Sequence, residues 1–189
     1  HATLICANSR YSAECIYRAY GVHARFNRLG VDLETFRPFG TPHERSVLSV
    51  GALHPVKAQD LIIRGVSTLI ERPPVNFIFN SDSLGTQARL TALAERLGVP
   101  VTFHRLVEDG ELVAAYNRAG VVAFPSCLEP FGFVPLEAMA CGTPVVGVAE
   151  GGTRETVVDG VTGLLTDRSP EAFGGAIGRL LTDEALRGT

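Results

Sequence analysis

The sequence predicts an α/β protein built on a doubly wound parallel sheet. Three observations carry this. Continuous apolar runs (Val75 to Phe79, Val121 to Phe124, Val145 to Val148) alternate with segments whose apolar residues recur at helical spacing. The runs do not alternate polar with apolar, which is the pattern of strands covered on both faces. Glycine and proline punctuate the junctions (Gly98-Val99-Pro100, Gly142-Thr143-Pro144), leaving connections of α/β length.

Residues 3–7 read as a short buried strand, and Asn8 and Ser9 can cap a helix from Tyr11 to about Tyr20 that stops at Gly21. Strand and loop follow to Phe36, with Gly30-Val31-Asp32 at a turn and a linker over Pro38-Phe39-Gly40-Thr41-Pro42. Strands are then expected at Ser46–Ala52, Val75–Phe79, Val101–Phe103, Val121–Phe124, Val145–Val148 and Gly163–Leu165. Helices are expected at Gln59–Glu71, Gln87–Leu97, Glu108–Arg118, Pro135–Ala140 and Glu171–Leu181. In the first of these Leu61, Ile62, Val66, Leu69 and Ile70 form the apolar face; in the second, Leu90, Leu93, Ala94 and Leu97.

Composition narrows the function. The chain has 189 residues, 46% of them apolar, enough for one good core. A net charge of −3 does not point to a nucleic-acid surface. Residues 1–45 hold six Arg against four acids, a mild basic bias that leaves room for a peripheral membrane contact at that end. No run approaches the roughly 20 apolar residues of a membrane span, and the first residues lack the charged and apolar regions of a signal peptide. Cys6, Cys15, Cys127 and Cys141 are scattered without a C-x-x-C pair, so reduced core thiols in a cytoplasmic protein are expected and no metal site. The start on a strand and the end at Arg187-Gly188-Thr189 lead us to expect two parts. Residues 1–40 would be the tail of an upstream domain with its linker. Residues 41–189 would be a ligand-binding domain, truncated at its C-terminus.

The chemistry concentrates in Glu129-Pro-Phe-Gly-Phe-Val-Pro-Leu-Glu137, two carboxylates with seven residues between them. A strand precedes it, so this is a loop carrying one acid and a helix carrying another, at the carboxyl end of a sheet where ligands bind. The helix start offers backbone amides to a phosphate, and carboxylates accept hydrogen bonds from hydroxyls. Phosphate plus hydroxyls describe a nucleotide sugar. Glu137 is expected in the first turn of a helix begun by Pro135, which suits the first helical position. The plainer reading, acids complementing a helix dipole, accounts for one acid better than for the pair; a hydrolase dyad fits poorly beside a phosphate site. Three further segments qualify. Gly51 ends the Ser46 strand, and Lys57 follows it, a compact charge suited to phosphate or else a solvated surface lysine; His54 between them reads as a turn residue, with a catalytic role as the alternative. Phe103-His104-Arg105-Leu106-Val107 either holds a base through backbone groups or is a plain surface loop. Gly151-Gly152 permits close backbone approach beside the sugar pocket, and Asp159-Gly160 is a tight turn.

On these residues the chain resembles the retaining glycosyltransferases of the GT-B fold, family 4. The motifs run in order from Ala7-Asn8-Ser9-Arg10-Tyr11-Ser12 through Leu29-Gly30-Val31-Asp32 and Phe36-Arg37-Pro38. They continue with Val50-Gly51 to Lys57, Pro125-Ser126, Glu129 to Glu137, Pro144-Val145-Val146 and Gly151 to Gly163. The resemblance implies the Rossmann-like, donor-binding C-terminal half of such an enzyme. It implies roles in turn: Lys57 on the donor diphosphate, Glu129 on the transferred sugar, backbone amides of Phe131, Gly132 and Phe133 on sugar and phosphate, and Glu137 on the ribose hydroxyls. Gly51, Leu106 and Val107 complete the donor site, and Lys57 and Glu129 are the catalytic pair. The implied ligand is a UDP-, GDP- or ADP-sugar, with no metal or other cofactor, and the acceptor is expected on an N-terminal domain outside these residues. Transfer would retain anomeric configuration, cationic and amide groups stabilising the departing diphosphate. Ala52 stands where the family usually has Arg, a charged contact of roughly 1.5–3 kcal/mol. Asn80-Ser81-Asp82-Ser83 replaces a glycine-rich turn, and Ala58 replaces a common Gly. A chain carrying only the donor half is expected to bind donor and transfer poorly; the alternative is a nucleotide-sugar-binding module without catalysis.

Overall fold

The computed structural model describes residues 4–183. Two parallel sheets are present. A small one pairs β1 (Cys6–Ala7) with β2 (Arg25–Phe26) around helix α1 (Arg10–Tyr20). Ser9 caps α1 by accepting from the Ser12 amide, and Gly21 ends it in the left-handed conformation, φ 66°. Of the expected buried first strand, residue 3 lies outside the described residues, Leu4, Ile5 and Cys6 are exposed rather than buried, and only Cys6–Ala7 is ladder-paired.

The large sheet has six strands: β3 (Val47–Val50), β4 (Val75–Phe79), β5 (Val101–Arg105), β6 (Val121–Phe124), β7 (Val145–Val148) and β8 (Gly163–Thr166), in the spatial order β5-β4-β3-β6-β7-β8. Every pairing is parallel. The order reverses between β3 and β6, so the crevice outside their carboxyl ends is the ligand position that this topology provides. The glycine turn before Lys57 and the loop carrying Glu129 leave those two strands.

Period-two alternation sends neighbouring residues to opposite faces. Val47, Phe77, Val121 and Val146 pack with α2 (Asp60–Ser67), α3 (Thr86–Leu97) and α7 (Pro170–Thr182). Leu48, Ile78, Val122 and Val145 pack with α4 (Asp109–Arg118) and α5 (Phe133–Ala140). A one-turn helix α6 (Thr153–Thr156) precedes β8. Helices α2 and α7 meet closely: a Cβ on Gly174 would lie 2.2 Å from the Gly65 carbonyl oxygen. The segment around Arg37 and Phe39 is fastened to α4, since Asn117 accepts from the Phe39 amide (2.6 Å) and donates to the Arg37 carbonyl (3.1 Å).

Four expectations are corrected. Of the four expected core thiols only Cys141 is buried; Cys6 and Cys15 are exposed and Cys127 is half-buried. Helix α2 ends at Ser67 rather than Glu71, and Ile70 is fully exposed instead of lying on the apolar face. Ser67 and Thr68 hydroxyls bond back to the Arg64 and Gly65 carbonyls, and such bonds compete with helix continuation. Strand β5 runs on to Arg105, so His104 and Arg105 belong to the ladder, with Phe79 paired to Arg105; polar residues are tolerated because this is the edge strand. Helix α5 begins at Phe133, not Pro135, which puts Pro135 third and Glu137 fifth, beyond the first turn. Gly132, at φ 93°, supplies the turn into the helix. Proline at the third position sacrifices no bond, because the first four amides of a helix have no intrahelical partner.

Candidate functional site

Gly51 leaves β3 at φ 136°, a value that favours glycine, and its amide donates to the Ile78 carbonyl at 3.0 Å. The chain then makes a short 3-10 turn, Pro55–Lys57, capped by the His54 side chain, which accepts from the Val56 amide at 3.2 Å. His54 is therefore a turn residue. Lys57 at the end of this turn reaches the loop after β6, where its Nζ lies 2.7 Å from Glu129 Oε2. Both side chains are largely withdrawn from water, 31% and 17% exposed. Two residues 72 apart in the chain thus form one ion pair at the switch point.

Glu129 Oε2 also accepts from the buried Ser126 hydroxyl at 2.8 Å, and among the described residues Oε1 has no hydrogen bond. The backbone here is tightly constrained. Leu128 is left-handed, φ 45°. The Gly152 amide donates to the Glu129 carbonyl (2.7 Å) and the Cys127 amide to the Val56 carbonyl (2.8 Å). The glycine pair has a definite reason: a Cβ on Gly151 would sit 2.6 Å from the Glu129 carbonyl oxygen, and one on Gly152 2.5 Å from that of Pro130. Ser126, Cys127 and the glycine pair thus lock the loop that carries Glu129 to the turn that carries Lys57.

Glu137 is held separately. The Tyr116 hydroxyl donates to its Oε2 at 2.6 Å. Partial burial pushes the Glu137 carboxyl above the usual range, against the opposing effect of that hydrogen bond. Tyr116 is fully buried, and burial first, then the Glu137 charge, raises its phenol well above the ordinary value. Phe131 is buried and Phe133 exposed, their rings edge to face with centroids 5.3 Å apart. Leu106 is left-handed (φ 55°) and exposed after β5, its amide bonded to the Phe79 carbonyl. Val107 instead lines a cavity of about 620 Å³ between α4 and strands β3 to β5, whose wall includes neither Lys57 nor Glu129. Among the described residues no group of three His, Cys, Asp or Glu side chains is placed to hold a metal ion.

Reasoning from sequence missed four contributors. Tyr116 reads as an ordinary core residue of α4. Arg168 lies far from the motif, yet it donates to Glu150 and to the Pro125 and Ser126 carbonyls. Ser126 belongs to the Pro125-Ser126 motif, which assigns it no role; its hydroxyl serves Glu129, three residues on. Glu155 on α6 accepts from the Arg10 and Tyr11 amides at 2.9 and 2.8 Å, tying α1 to the glycine pair.

Comparison with known proteins bears on the family and the fold. The family model for glycosyl transferases group 1 matches residues 34–188. The chain is 38% identical over 174 residues to a D-inositol 3-phosphate glycosyltransferase of Frankia alni, covering 80% of this chain and 43% of that protein. It is 36% identical over 208 aligned positions to that of Xylanimonas cellulosilytica, covering 97% of this chain and 49% of the relative. The chain thus spans about half the length of the curated relatives it matches. Among solved structures, the sucrose-phosphate synthase of Thermosynechococcus elongatus superposes with a TM-score of 0.87 at 28% identity, over 100% of this chain and 51% of that one. Anabaena HepE, solved with UDP and glucose, superposes at 0.89 with 25% identity, over 100% of this chain and 56% of that one.

Proposed function

Because the chain belongs to the group 1 glycosyl transferases and carries their GT-B, Rossmann-like sheet, we propose that it binds a nucleotide sugar at the switch point and forms the donor half of a retaining glycosyltransferase. The observation that carries this is the Lys57–Glu129 pair at 2.7 Å. It puts a cation and a carboxylate with a free oxygen side by side, where a diphosphate ester and a sugar hydroxyl would lie together. Residues 41–189 supply the donor domain, and residues 1–40 the end of the acceptor domain with its linker.

In this reading Lys57 stabilises the negative charge that develops on the departing diphosphate, helped by the Phe131, Gly132 and Phe133 amides at the start of α5. That assignment gives the leaving group to cationic and amide groups rather than to a metal ion. Glu129 accepts a hydroxyl of the transferred sugar through its free Oε1, Glu137 accepts the ribose hydroxyls, and backbone groups of Leu106 and Val107 meet the base. UDP and its sugars are the first choice, since HepE has been solved with UDP and with UDP-glucose. Among the described residues no helix is long and apolar enough to cross a membrane, and we place the reaction in the cytoplasm. Ala52 favours a second reading, a binding module without transfer, because its methyl group offers the diphosphate nothing and its carbonyl is taken by the Gln59 amide at 2.9 Å.

Calorimetric titration with UDP and then UDP-glucose tests the first reading. Glu129→Ala is expected to leave UDP affinity within about twofold and to weaken UDP-glucose about tenfold or more, the size of one charged hydrogen bond. Equal loss of both ligands would overturn the role given to Glu129. Binding without any sugar transfer by a longer chain that contains these residues would favour the second reading.

A further inference from the structure

We infer that Arg168, through its fork with Glu150, is the positioning residue that sets where Glu129 and Lys57 stand. The inference rests on the donor-site reading and gives it a mechanical support from outside the Glu129-to-Glu137 motif.

Arg168 lies just beyond β8, two strands away from β6. Its Nε and Nη2 donate to Glu150 Oε1 and Oε2 at 3.0 and 2.7 Å, a bidentate pair. The remaining donors reach further: Nη1 to the Pro125 carbonyl at 2.7 Å and Nη2 to the Ser126 carbonyl at 3.3 Å. Glu150 itself follows β7. One planar guanidinium therefore joins the carboxyl ends of β6, β7 and β8. Both side chains are about two-thirds withdrawn from solvent, 28% and 32% exposed, so water screens this pair less than a surface pair. Arg168 holds the Glu150 carboxyl below its usual range against the opposing effect of partial burial, the direction expected of a carboxylate with a cationic donor.

The carbonyls held by Arg168 belong to the residues just before Cys127-Leu128-Glu129. Leu128 carries a left-handed backbone, φ 45°, a conformation that persists only where its surroundings enforce it. Arg168 grips one side of it and Gly152 the other. Because Cys127 is bonded to Val56, the fork also positions the turn that ends in Lys57. Lysine in place of Arg168 cannot reproduce a four-point planar contact, and displacement of a reacting group by about 1 Å can cost on the order of a hundredfold in rate.

The test compares Arg168→Lys, Glu150→Gln and the double variant with the parent chain, using calorimetry for UDP and UDP-glucose and the side-chain ¹⁵Nζ NMR signal of Lys57. Because Lys57 stands on the diphosphate, UDP affinity should fall, by less than the roughly tenfold of one lost charged hydrogen bond. The extra affinity conferred by glucose should fall about tenfold, matching one misplaced charged hydrogen bond. The Lys57 signal should shift in both single variants, without further change in the double. An unchanged Lys57 signal, or an equal loss of UDP and UDP-glucose, would overturn the role of Arg168. Failure of the parent to bind either ligand would instead sink the donor-site reading, and the Lys57 signal would still decide whether Arg168 positions the pair.

Discussion

Glu137→Ala is expected to weaken UDP binding about tenfold to a hundredfold, the size of one lost charged hydrogen bond to a ribose hydroxyl. It should also lower the melting temperature, because it strands the fully buried Tyr116 hydroxyl without its 2.6 Å acceptor; an unpaired buried hydroxyl costs about 1–3 kcal/mol. Glu137→Gln separates the two effects. The amide oxygen still accepts from Tyr116, so only the charge is lost. Partial burial raises the Glu137 carboxyl, so the folded state holds that proton more tightly than the unfolded chain does. The resulting stabilisation is full below the ordinary glutamate range and disappears as pH rises through the raised value. At neutral pH the charge is therefore a burden on the fold. Glu137→Gln should melt higher than the parent at pH 7, with the gap closing toward pH 4, while binding UDP less well. A Gln variant that melts lower at pH 7, or binds UDP as the parent does, would show that Glu137 serves the fold and not the ligand.

Gly174→Ala carries the largest expected stability effect. Its Cβ would fall 2.2 Å from the Gly65 carbonyl oxygen and 2.6 Å from Thr68 Oγ1, at the α2–α7 crossing. Neither helix can yield without disturbing Ile62, Ile63, Phe173 and Ile177, all fully buried. Overpacking of this kind costs about 1–3 kcal/mol, and for a chain of this size each kcal/mol moves the melting temperature by about 2–4 °C, so a fall of about 2–12 °C is expected. Gly175→Ala is the matched control: it lies in the same helix, exposed, with nothing within 4 Å of the added methyl group. It should melt slightly higher than the parent, since alanine favours a helix interior by about 0.5–1 kcal/mol. Differential scanning calorimetry of the pair decides the matter, and equal melting temperatures would mean the crossing relaxes freely.

The sheet was legible because its strands are apolar on both faces. The runs 75–79, 121–124 and 145–148 match their ladders end to end. Boundaries failed where side chains bond back to the backbone, as at Ser67 and Thr68, or where an edge strand ends in His104 and Arg105. The position of Glu137 is not legible locally, because Pro135 suits the first helical position whereas the left-handed Gly132 starts the helix two residues earlier. Lys57 and Glu129 could be named individually from their motifs. Their meeting could not, since it depends on β3 and β6 being neighbours. Tyr116 and Arg168 had no local signal: each acts through a contact whose partner is remote in sequence, 21 residues away for Tyr116 and about 42 for Arg168.

The Glu155 carboxylate closes the N-terminus of α1, and the Ser12 hydroxyl reaches the Pro130 carbonyl at 3.4 Å. This bears on recombination between related enzymes. The proline-rich stretch Pro38–Pro42 looks like the natural seam for a chimera, yet a cut there separates α1 from the two residues that hold it. A crossover placed ahead of β1 would inherit helix and clasp together, so hybrids joined there should keep the parental melting behaviour that hybrids joined at the linker lose.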